Sequence, residues 1–210
     1  GIYPGPGALY DLMAAPLVHH GRVLGVLELF EGIPTVVFGY FALLFVTPLL
    51  QKVIPGLSLF NPLSAGLVMG FAILPYVSNV AADAMQSVPR SIREAAYALG
   101  ARPYEVALKV VLPAALSGVI AAIILAASRA IGETMIVAIA AGQRPTLTLD
   151  PRETIATMTS YIVQAATGDQ PTGSTAYYAL FAVGFTLFLL TLALNVLAQY
   201  IVERYRERYE

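Results

Sequence analysis

The residues best suited to chemistry in this sequence are Arg129 and Glu133, which lie four apart in a largely apolar stretch. Residues four apart share a face of a helix, so a guanidinium and a carboxylate at these positions are able to pair. Ionisable side chains deep in an apolar span are costly, and they usually face a bundle interior or an aqueous cavity. The residues alone leave two interpretations open: a functional pair lining a cavity, or a structural pair, including one near the outer lipid headgroups.

A second candidate is the polar block from Ser91 to Pro113, SIREAAYALGARPYEVALKVVLP, which separates two apolar runs. Ser91 with Glu94 three residues later is a capping-box pattern and predicts a helix start. Gly100 supplies the left-handed conformation that ends a helix, and Pro103 suits the first turn of a second helix. The first helix would carry a narrow apolar stripe formed by Ile92, Ala95, Ala96 and Leu99. Such a stripe serves either as a docking surface for a soluble partner or as a face lying on lipid headgroups.

The composition indicates a membrane protein. Of the 210 residues, 58% are hydrophobic and 12% are charged, and the mean hydropathy is +0.72. A soluble domain would carry about twice that fraction of charge. The net charge of −1 and the lack of a basic run argue against a nucleic-acid partner. The sequence has no cysteine, which excludes disulfides and thiolate metal sites.

Four runs without charge are long enough to cross a bilayer, which takes roughly 18–20 residues of helix. They are Gly32–Gln51, Val53–Ala82, Val110–Ser128 and Gln170–Val202. Backbone groups in lipid must bond within their own segment, so each run is predicted to be helical. The predicted fold is therefore an all-α, polytopic membrane helix bundle. The alternative, buried core helices of a soluble protein, would leave too little polar chain to cover them.

The third run continues into further apolar sequence. From Val110 to Gly142 the chain would extend about 50 Å as a straight helix, which exceeds the hydrocarbon thickness. This stretch must therefore tilt, start outside the lipid, or break. Helices bend or end at prolines and glycines, so the breaks are predicted at Pro113 and Gly132.

The distribution of positive charge predicts the orientation of the spans. The connector Asp83–Lys109 and the tail after Val202 are richer in arginine and lysine than the connector Gly142–Asp169. The first two are therefore expected on the cytoplasmic side and the third outside. The expected division is a loose leader over 1–21, a membrane domain over 22–203 containing a cytoplasmic block at 83–113, and a cytoplasmic tail at 204–210.

The cytoplasmic block has a recognisable pattern. The order Glu94-Ala95-Ala96, then Gly100, then Leu112-Pro113 resembles the EAA motif of ABC-importer permeases. In that family the block is the coupling helix, which sits in a groove of a cytoplasmic ATPase subunit. The resemblance implies the type I (MetI-like) permease fold, and it implies that these six residues couple the chain to the ATPase. The sequence has no phosphate-loop pattern, so ATP would be bound by the partner, and the chain would be a non-catalytic subunit without a cofactor of its own.

A narrower resemblance concerns the permeases of phosphate importers. It is carried by Ser128–Met135, together with Glu28–Gly39, Ala84–Ser91 and Tyr178–Ala182, and it covers residues 22–203. Such importers pair two related permeases, PstC and PstA. Gly132-Glu133-Thr134 followed by Met135 is more similar to the PstC type. The resemblance implies that Arg129, Glu133 and Thr134 belong to the substrate pathway, where a guanidinium offers forked donors to an oxyanion.

The resemblance also implies partners and a location. The expected assembly lies in a bacterial or archaeal cytoplasmic membrane and contains a second, PstA-like permease, a PstB-like ATPase dimer and an external PstS-like phosphate-binding protein. Related permeases carry other oxyanions, so molybdate, sulfate or phosphonate is the alternative substrate. Family members usually have one or two membrane helices before Arg22, so a truncated, non-transporting assembly subunit is also considered. A membrane-embedded enzyme would need clustered intramembrane acids or histidines, and Glu133 is the one acid well inside a span.

Overall fold

The computed structural model describes residues 32–168 and 171–205. All regular structure within these residues is helical, which confirms the predicted all-α class. The expected leader at 1–21 and most of the expected tail at 204–210 lie outside the described residues. The helices are α1 Thr35–Gln51, α2 Pro62–Gln86, α3 Arg90–Ala98, α4 Pro103–Ala114, α5 Leu116–Gly132, α6 Met135–Ala140, α7 Met158–Thr167 and α8 Thr175–Tyr205.

Two described helices, α2 and α8, are long and apolar enough to cross a membrane, and α4 with α5 would add a third span if the bent pair is one. Four full spans were expected, and the difference lies in the first run. There α1 begins only at Thr35, after Pro34, and is shorter than a spanning helix. The second helix also starts later than expected, at Pro62 rather than near Val53.

Prolines explain two local widenings of the helices. A π turn occupies Ala42–Val46 in α1, and another occupies Ala107–Val111 in α4. Each ends shortly before a proline, Pro48 in α1 and Pro113 in α4. A proline ring clashes with the carbonyl four residues earlier, and in each helix that carbonyl lies in the π turn. The residue before the proline donates its N–H to the carbonyl five residues earlier, so the chain absorbs the clash without breaking the helix.

The predicted breaks around α5 are confirmed to within a few residues. Helix α4 ends just after Pro113, and α5 starts at Leu116 with its axis bent by 72°. Helix α5 in turn ends at Gly132, where the chain turns before α6. Pro75 differs from both, because it lies inside α2 and the helix continues through it.

The chain forms two compact units. The described residues of the first unit are Gly32, Pro75–Ile123 and 199–205, and those of the second are Ile33–Leu74, 124–168 and 171–198. The first unit is built around four buried apolar side chains, Val88, Val106, Val111 and Ala115. They come from the turn before α3, from α4, and from the bend that follows α4. This cluster is what holds the polar block to the end of α2.

Helices α2 and α5 approach closely within the first unit, at Gly118. A Cβ atom added to Gly118 would lie 2.5 Å from the Cβ of Ala84, closer than two carbon atoms pack. Small residues at such crossings let membrane helices bring their backbones together. Glycine is therefore required at this position by the packing, rather than by backbone conformation.

The second unit contains a buried polar cluster of Thr47, Asn61 and Ser64, all three without exposed surface. Asn61 caps α2, because its Oδ1 accepts the N–H of Ser64 at 2.8 Å. Its side-chain amide donates to the carbonyl of Ser58 at 3.0 Å and to the hydroxyl of Thr47 at 3.4 Å. The Thr47 hydroxyl donates to Ser64 Oγ at 2.8 Å. Since buried polar groups must be paired, this cluster fixes the end of α1 against the start of α2.

Candidate functional site

The coupling block begins differently from the prediction. Helix α3 starts at Arg90 with Pro89 as its N-cap, and no side chain caps it. The capping box predicted for Ser91 and Glu94 is therefore wrong. Pro89 has the extended ψ of 139° that precedes a helix, so the helix starts before Ser91 is reached.

The end of α3 follows the prediction. Gly100 has a φ of +82°, which is the left-handed conformation expected there. Its N–H donates to the carbonyl of Tyr97 at 2.9 Å, and the N–H of Ala101 donates to the carbonyl of Ala96 at 3.2 Å. This pair of bonds is a Schellman motif, which satisfies the last carbonyls of the helix. Gly100 is thus the elbow between α3 and α4.

Helix α3 has two faces. Ile92 and Ala96 pack against the buried cluster of the first unit. The opposite face is solvent-exposed, and we call it the coupling stripe; it consists of Ser91, Glu94, Ala95, Ala98 and Leu99. Leu99 at its end is 90% exposed. The single apolar stripe predicted from spacing is therefore divided, with Ile92 and Ala96 turned inward and Ala95 and Leu99 turned outward.

The second helix of the block begins as predicted, with Pro103 in the first turn of α4. The Glu105 carboxylate accepts the backbone N–H of Arg102 at 3.1 Å and pairs with Lys109 at 3.0 Å. The bond from Arg102, followed by the pairing with Lys109, lowers the pKa of Glu105. Leu112 and Pro113 form the last turn of α4 before the bend.

The three residues expected in the substrate pathway lie at the break between α5 and α6. Arg129 occupies the last turn of α5 with an exposed side chain. Helix α5 ends at Gly132, so the prediction that Arg129 and Glu133 share one continuous helix is wrong. The Glu133 carboxylate lies at the start of α6, where one oxygen accepts the N–H of Met135 at 3.2 Å and that of Ile136 at 3.4 Å. A negative charge at a helix start is favourable for the helix dipole.

Thr134 and Thr159 complete the geometry of this break. The Thr134 hydroxyl donates to the carbonyl of Gly132 at 3.2 Å. From α7, the buried Thr159 hydroxyl donates to the backbone carbonyl of Glu133 at 2.8 Å. Two contacts therefore fix the break. The Glu133 side chain binds the first N–H groups of α6, and the Thr159 hydroxyl binds the backbone carbonyl of Glu133.

Sequence reasoning missed Thr159 and the cap that positions it. Thr157 caps α7, accepting the N–H of Ser160 at 3.2 Å, while Ser160 Oγ accepts the N–H of Thr157 at 2.9 Å. The Thr-x-x-Ser spacing is a capping signal that would have located the start of α7. No local signal connects Thr159 with Glu133, because that contact joins segments 26 residues apart.

Apolar helices of spanning length, joined to a polar elbow that presents small residues to solvent, are typical of a membrane-embedded transport protein. The chain belongs to the family of binding-protein-dependent transport system inner membrane components, whose sequence model matches residues 18–207. This membership confirms the type I importer permease fold and the resemblance to ABC-importer permeases.

Individual relatives indicate which type of permease the chain resembles. The chain is 31% identical to the probable ABC transporter permease protein YqgH of Bacillus subtilis, covering 94% of this chain and 64% of the relative. It is 32% identical to the phosphate transport system permease protein PstC of Xylella fastidiosa, covering 85% and 60%. The probable PstC of Methanocaldococcus jannaschii is 29% identical, covering 86% and 62%. The predicted resemblance to PstC-type permeases is confirmed, and the chain spans less than two thirds of the length of these relatives.

Proposed function

We propose that this chain is the membrane-spanning permease subunit of an ATP-driven phosphate importer and forms part of its translocation pathway. The observation that carries the proposal is the coupling stripe, an exposed helical face beside the Gly100 elbow, in a chain similar to named phosphate permeases. In this proposal the residues 22–203 form the transmembrane domain, and the block 83–113 and the tail 204–210 face the cytoplasm.

The coupling stripe suits an ATPase groove for a physical reason. Ala95 and Ala98 have the smallest side chains that keep a helix stable, so a partner surface can approach the α3 backbone closely. Leu99 projects at the end of the stripe and supplies an apolar anchor. Glu94 lies on the same face, and its carboxylate is available to a basic side chain at the rim of the groove. Leu112 and Pro113 end the block at the bend into α5, so movement of the block is passed to a span.

Arg129, Glu133 and Thr134 are proposed to belong to the substrate pathway, where Arg129 lines the passage and Glu133 tunes anion binding. A guanidinium offers forked donors to two oxygens of a tetrahedral oxyanion. The Glu133 carboxylate, fixed on α6, places a negative charge near the passage and opposes tight anion binding. Weak binding suits a transport pathway, because a tightly held anion would not leave.

The proposed assembly contains a second, PstA-like permease, a PstB-like ATPase dimer and an external PstS-like binding protein, in a bacterial or archaeal cytoplasmic membrane. ATP is bound by the ATPase subunits. Closure of the ATPase dimer would move α3 and switch the pathway from outward to inward access.

The test is radiolabelled phosphate uptake by proteoliposomes that contain the complete assembly, with Arg129→Gln and Arg144→Gln as matched variants. The account predicts ATP-dependent phosphate uptake, abolished by Arg129→Gln and retained by Arg144→Gln, with both complexes assembled. Uptake that is competed by molybdate or sulfate better than by phosphate would indicate the alternative oxyanion. No ATP-dependent uptake of any oxyanion would indicate a non-transporting subunit, and normal uptake by Arg129→Gln would remove Arg129 from the pathway.

A further inference from the structure

The C-terminal end of α2 is closed by backbone and side-chain donors of the residues that follow it. The last carbonyls of a helix lack partners within the helix and need donors from outside it. The Ser87 N–H donates to the carbonyl of Asp83 at 3.0 Å, and the Ser87 hydroxyl donates to that of Ala84 at 2.7 Å. The carbonyl of Met85 accepts the N–H of Val88 at 3.3 Å. These bonds are all local to the turn between α2 and α3.

One further bond crosses from α3 to this helix end. A terminal nitrogen of the Arg93 guanidinium donates to the carbonyl of Met85 at 2.6 Å. The bond is charge-assisted, and the positive charge lies at the negative end of the dipole of a 25-residue helix. Both effects favour the same position of the guanidinium, so this contact ties α3 to α2 with a defined register.

The apolar attachments of α3 are less directional. Ile92 and Ala96 pack on the buried cluster through apolar surface, which permits sliding and rotation. A helix of nine residues is also too short to be stable alone. Arg93 therefore supplies a directional polar contact between α3 and the end of α2.

Arg93 and Glu94 are consecutive residues of α3, about 100° apart around the helix axis. Glu94 belongs to the exposed coupling stripe, whereas Arg93 is half-buried and points to α2. A force applied to the stripe at Glu94 would reach Arg93 through the backbone of α3. The bond from Arg93 to the carbonyl of Met85 would then carry it to the C-terminal end of α2.

We propose that Arg93 is a positioning residue for energy coupling: its bond to the carbonyl of Met85 transmits movement of the coupling stripe to α2. The inference rests on the proposed function, because it assumes that an ATPase moves the stripe. It adds a second route beside the chain connection through α4 and the bend at Ala115, and it assigns a role to a side chain that does not touch substrate or nucleotide.

The geometry also predicts which replacement is tolerated. The Nε–H of Arg93 is buried and has no acceptor among the described residues, so the described contact with α2 uses a terminal nitrogen only. A lysine ammonium carries the same charge and can donate to the same carbonyl from a shorter side chain without a forked head group. Arg93→Lys is therefore expected to keep the hydrogen bond to the carbonyl of Met85. Arg93→Met keeps the apolar stem of the side chain but loses that hydrogen bond.

The experiment uses the complete transporter in proteoliposomes and compares Arg93→Met, Arg93→Lys and the control Lys109→Met. The control removes the same charge from an exposed site in the same block. Three quantities are measured: co-purification of the subunits, phosphate transported per ATP hydrolysed, and hydrogen exchange of the α3 amides. The exchange measurement does not depend on transport, so it tests the bond between Arg93 and Met85 even if the proposed function is wrong.

For Arg93→Met we expect an assembled complex that still hydrolyses ATP. The phosphate transported per ATP hydrolysed should fall about tenfold, and the α3 amides should exchange faster by a similar factor. Changes of this size fit the loss of one charge-assisted hydrogen bond. Arg93→Lys should recover most of both losses, and Lys109→Met should resemble the native protein. An unchanged transport ratio in Arg93→Met, or Arg93→Lys as defective as Arg93→Met, would overturn the inference. Failure of both variants to assemble would overturn it also, because Arg93 would then be needed for folding. If the native complex moves no phosphate while Arg93→Met still speeds α3 exchange, the proposed function fails and the tie stands.

Discussion

The contact between Gly118 and Ala84 gives the most quantitative prediction about the fold. Gly118→Ala places a methyl group 2.5 Å from the Ala84 Cβ. Ordinary carbon–carbon contacts lie at roughly 3.5–4.0 Å, so the helices must separate by about 1 Å. Overpacking of this kind typically costs about 1–3 kcal/mol. Alanine regains about 1 kcal/mol of helix propensity over glycine, so the net loss is expected to be about 0–2 kcal/mol.

A matched control separates the packing effect from propensity. Gly70 lies inside α2, and a Cβ added there would meet no atom within 4 Å. Gly70→Ala should therefore stabilise the protein by up to about 1 kcal/mol. The difference between the two alanine variants, about 1–3 kcal/mol, is the cost of the contact itself.

The assay is reversible denaturant unfolding of the purified chain in detergent, followed by helix content. Ala84→Gly is combined with Gly118→Ala to complete a double-mutant cycle, and the pair should show a coupling that restores at least about 1 kcal/mol. Equal stabilities of Gly118→Ala and Gly70→Ala, together with additive effects in the cycle, would show that α2 and α5 do not meet at these residues.

Three further predictions concern single sites. Asn61→Ala removes the α2 cap and strands buried hydroxyls, so unfolding in the same assay should be easier by about 2–4 kcal/mol; a loss under 1 kcal/mol would contradict the buried cluster. Gly100→Ala meets no atom within 4 Å but keeps a φ of +82°, so it should cost about 1–2 kcal/mol through backbone strain alone, and a neutral effect would contradict the elbow. Arg152 lowers the pKa of Asp150 to about 2. A carboxyl with a lowered folded pKa contributes stability above its unfolded pKa and loses it as pH falls through the folded value. The pair should therefore persist from neutral pH to about pH 4 and be lost near pH 2, and a carboxyl NMR titration centred at pH 4 would contradict it.

Local backbone rules account for what the sequence predicted well. The elbow at Gly100, the start of α4 at Pro103 and the breaks near Pro113 and Gly132 each depend on one residue with an unusual backbone preference. Such preferences act within a few residues and are readable from a single sequence. The family motif was equally readable, because its residues are close in the chain.

Contacts between distant segments account for what the sequence did not reveal. Spacing grouped Ile92 with Leu99 on one stripe, but only the buried cluster determines that Ile92 turns inward and Leu99 outward. Helical spacing placed Arg129 and Glu133 on one continuous helix, whereas α5 ends at Gly132 and Glu133 caps the start of α6. The Arg93 tie likewise depends on where α3 folds back on α2, which no periodicity encodes.

The central claim is that an ATPase grips the coupling stripe, and cross-linking tests it most directly. The sequence has no cysteine, so Ala98→Cys and Thr172→Cys each introduce a single thiol at an exposed position of this chain. Each variant, assembled with its partners, is labelled with a thiol-reactive benzophenone and irradiated. The account predicts a cross-link from residue 98 to the ATPase subunit and none from residue 172, which is expected on the outer side. A cross-link to the ATPase from residue 172, or none from residue 98 in an assembled complex, would contradict the account.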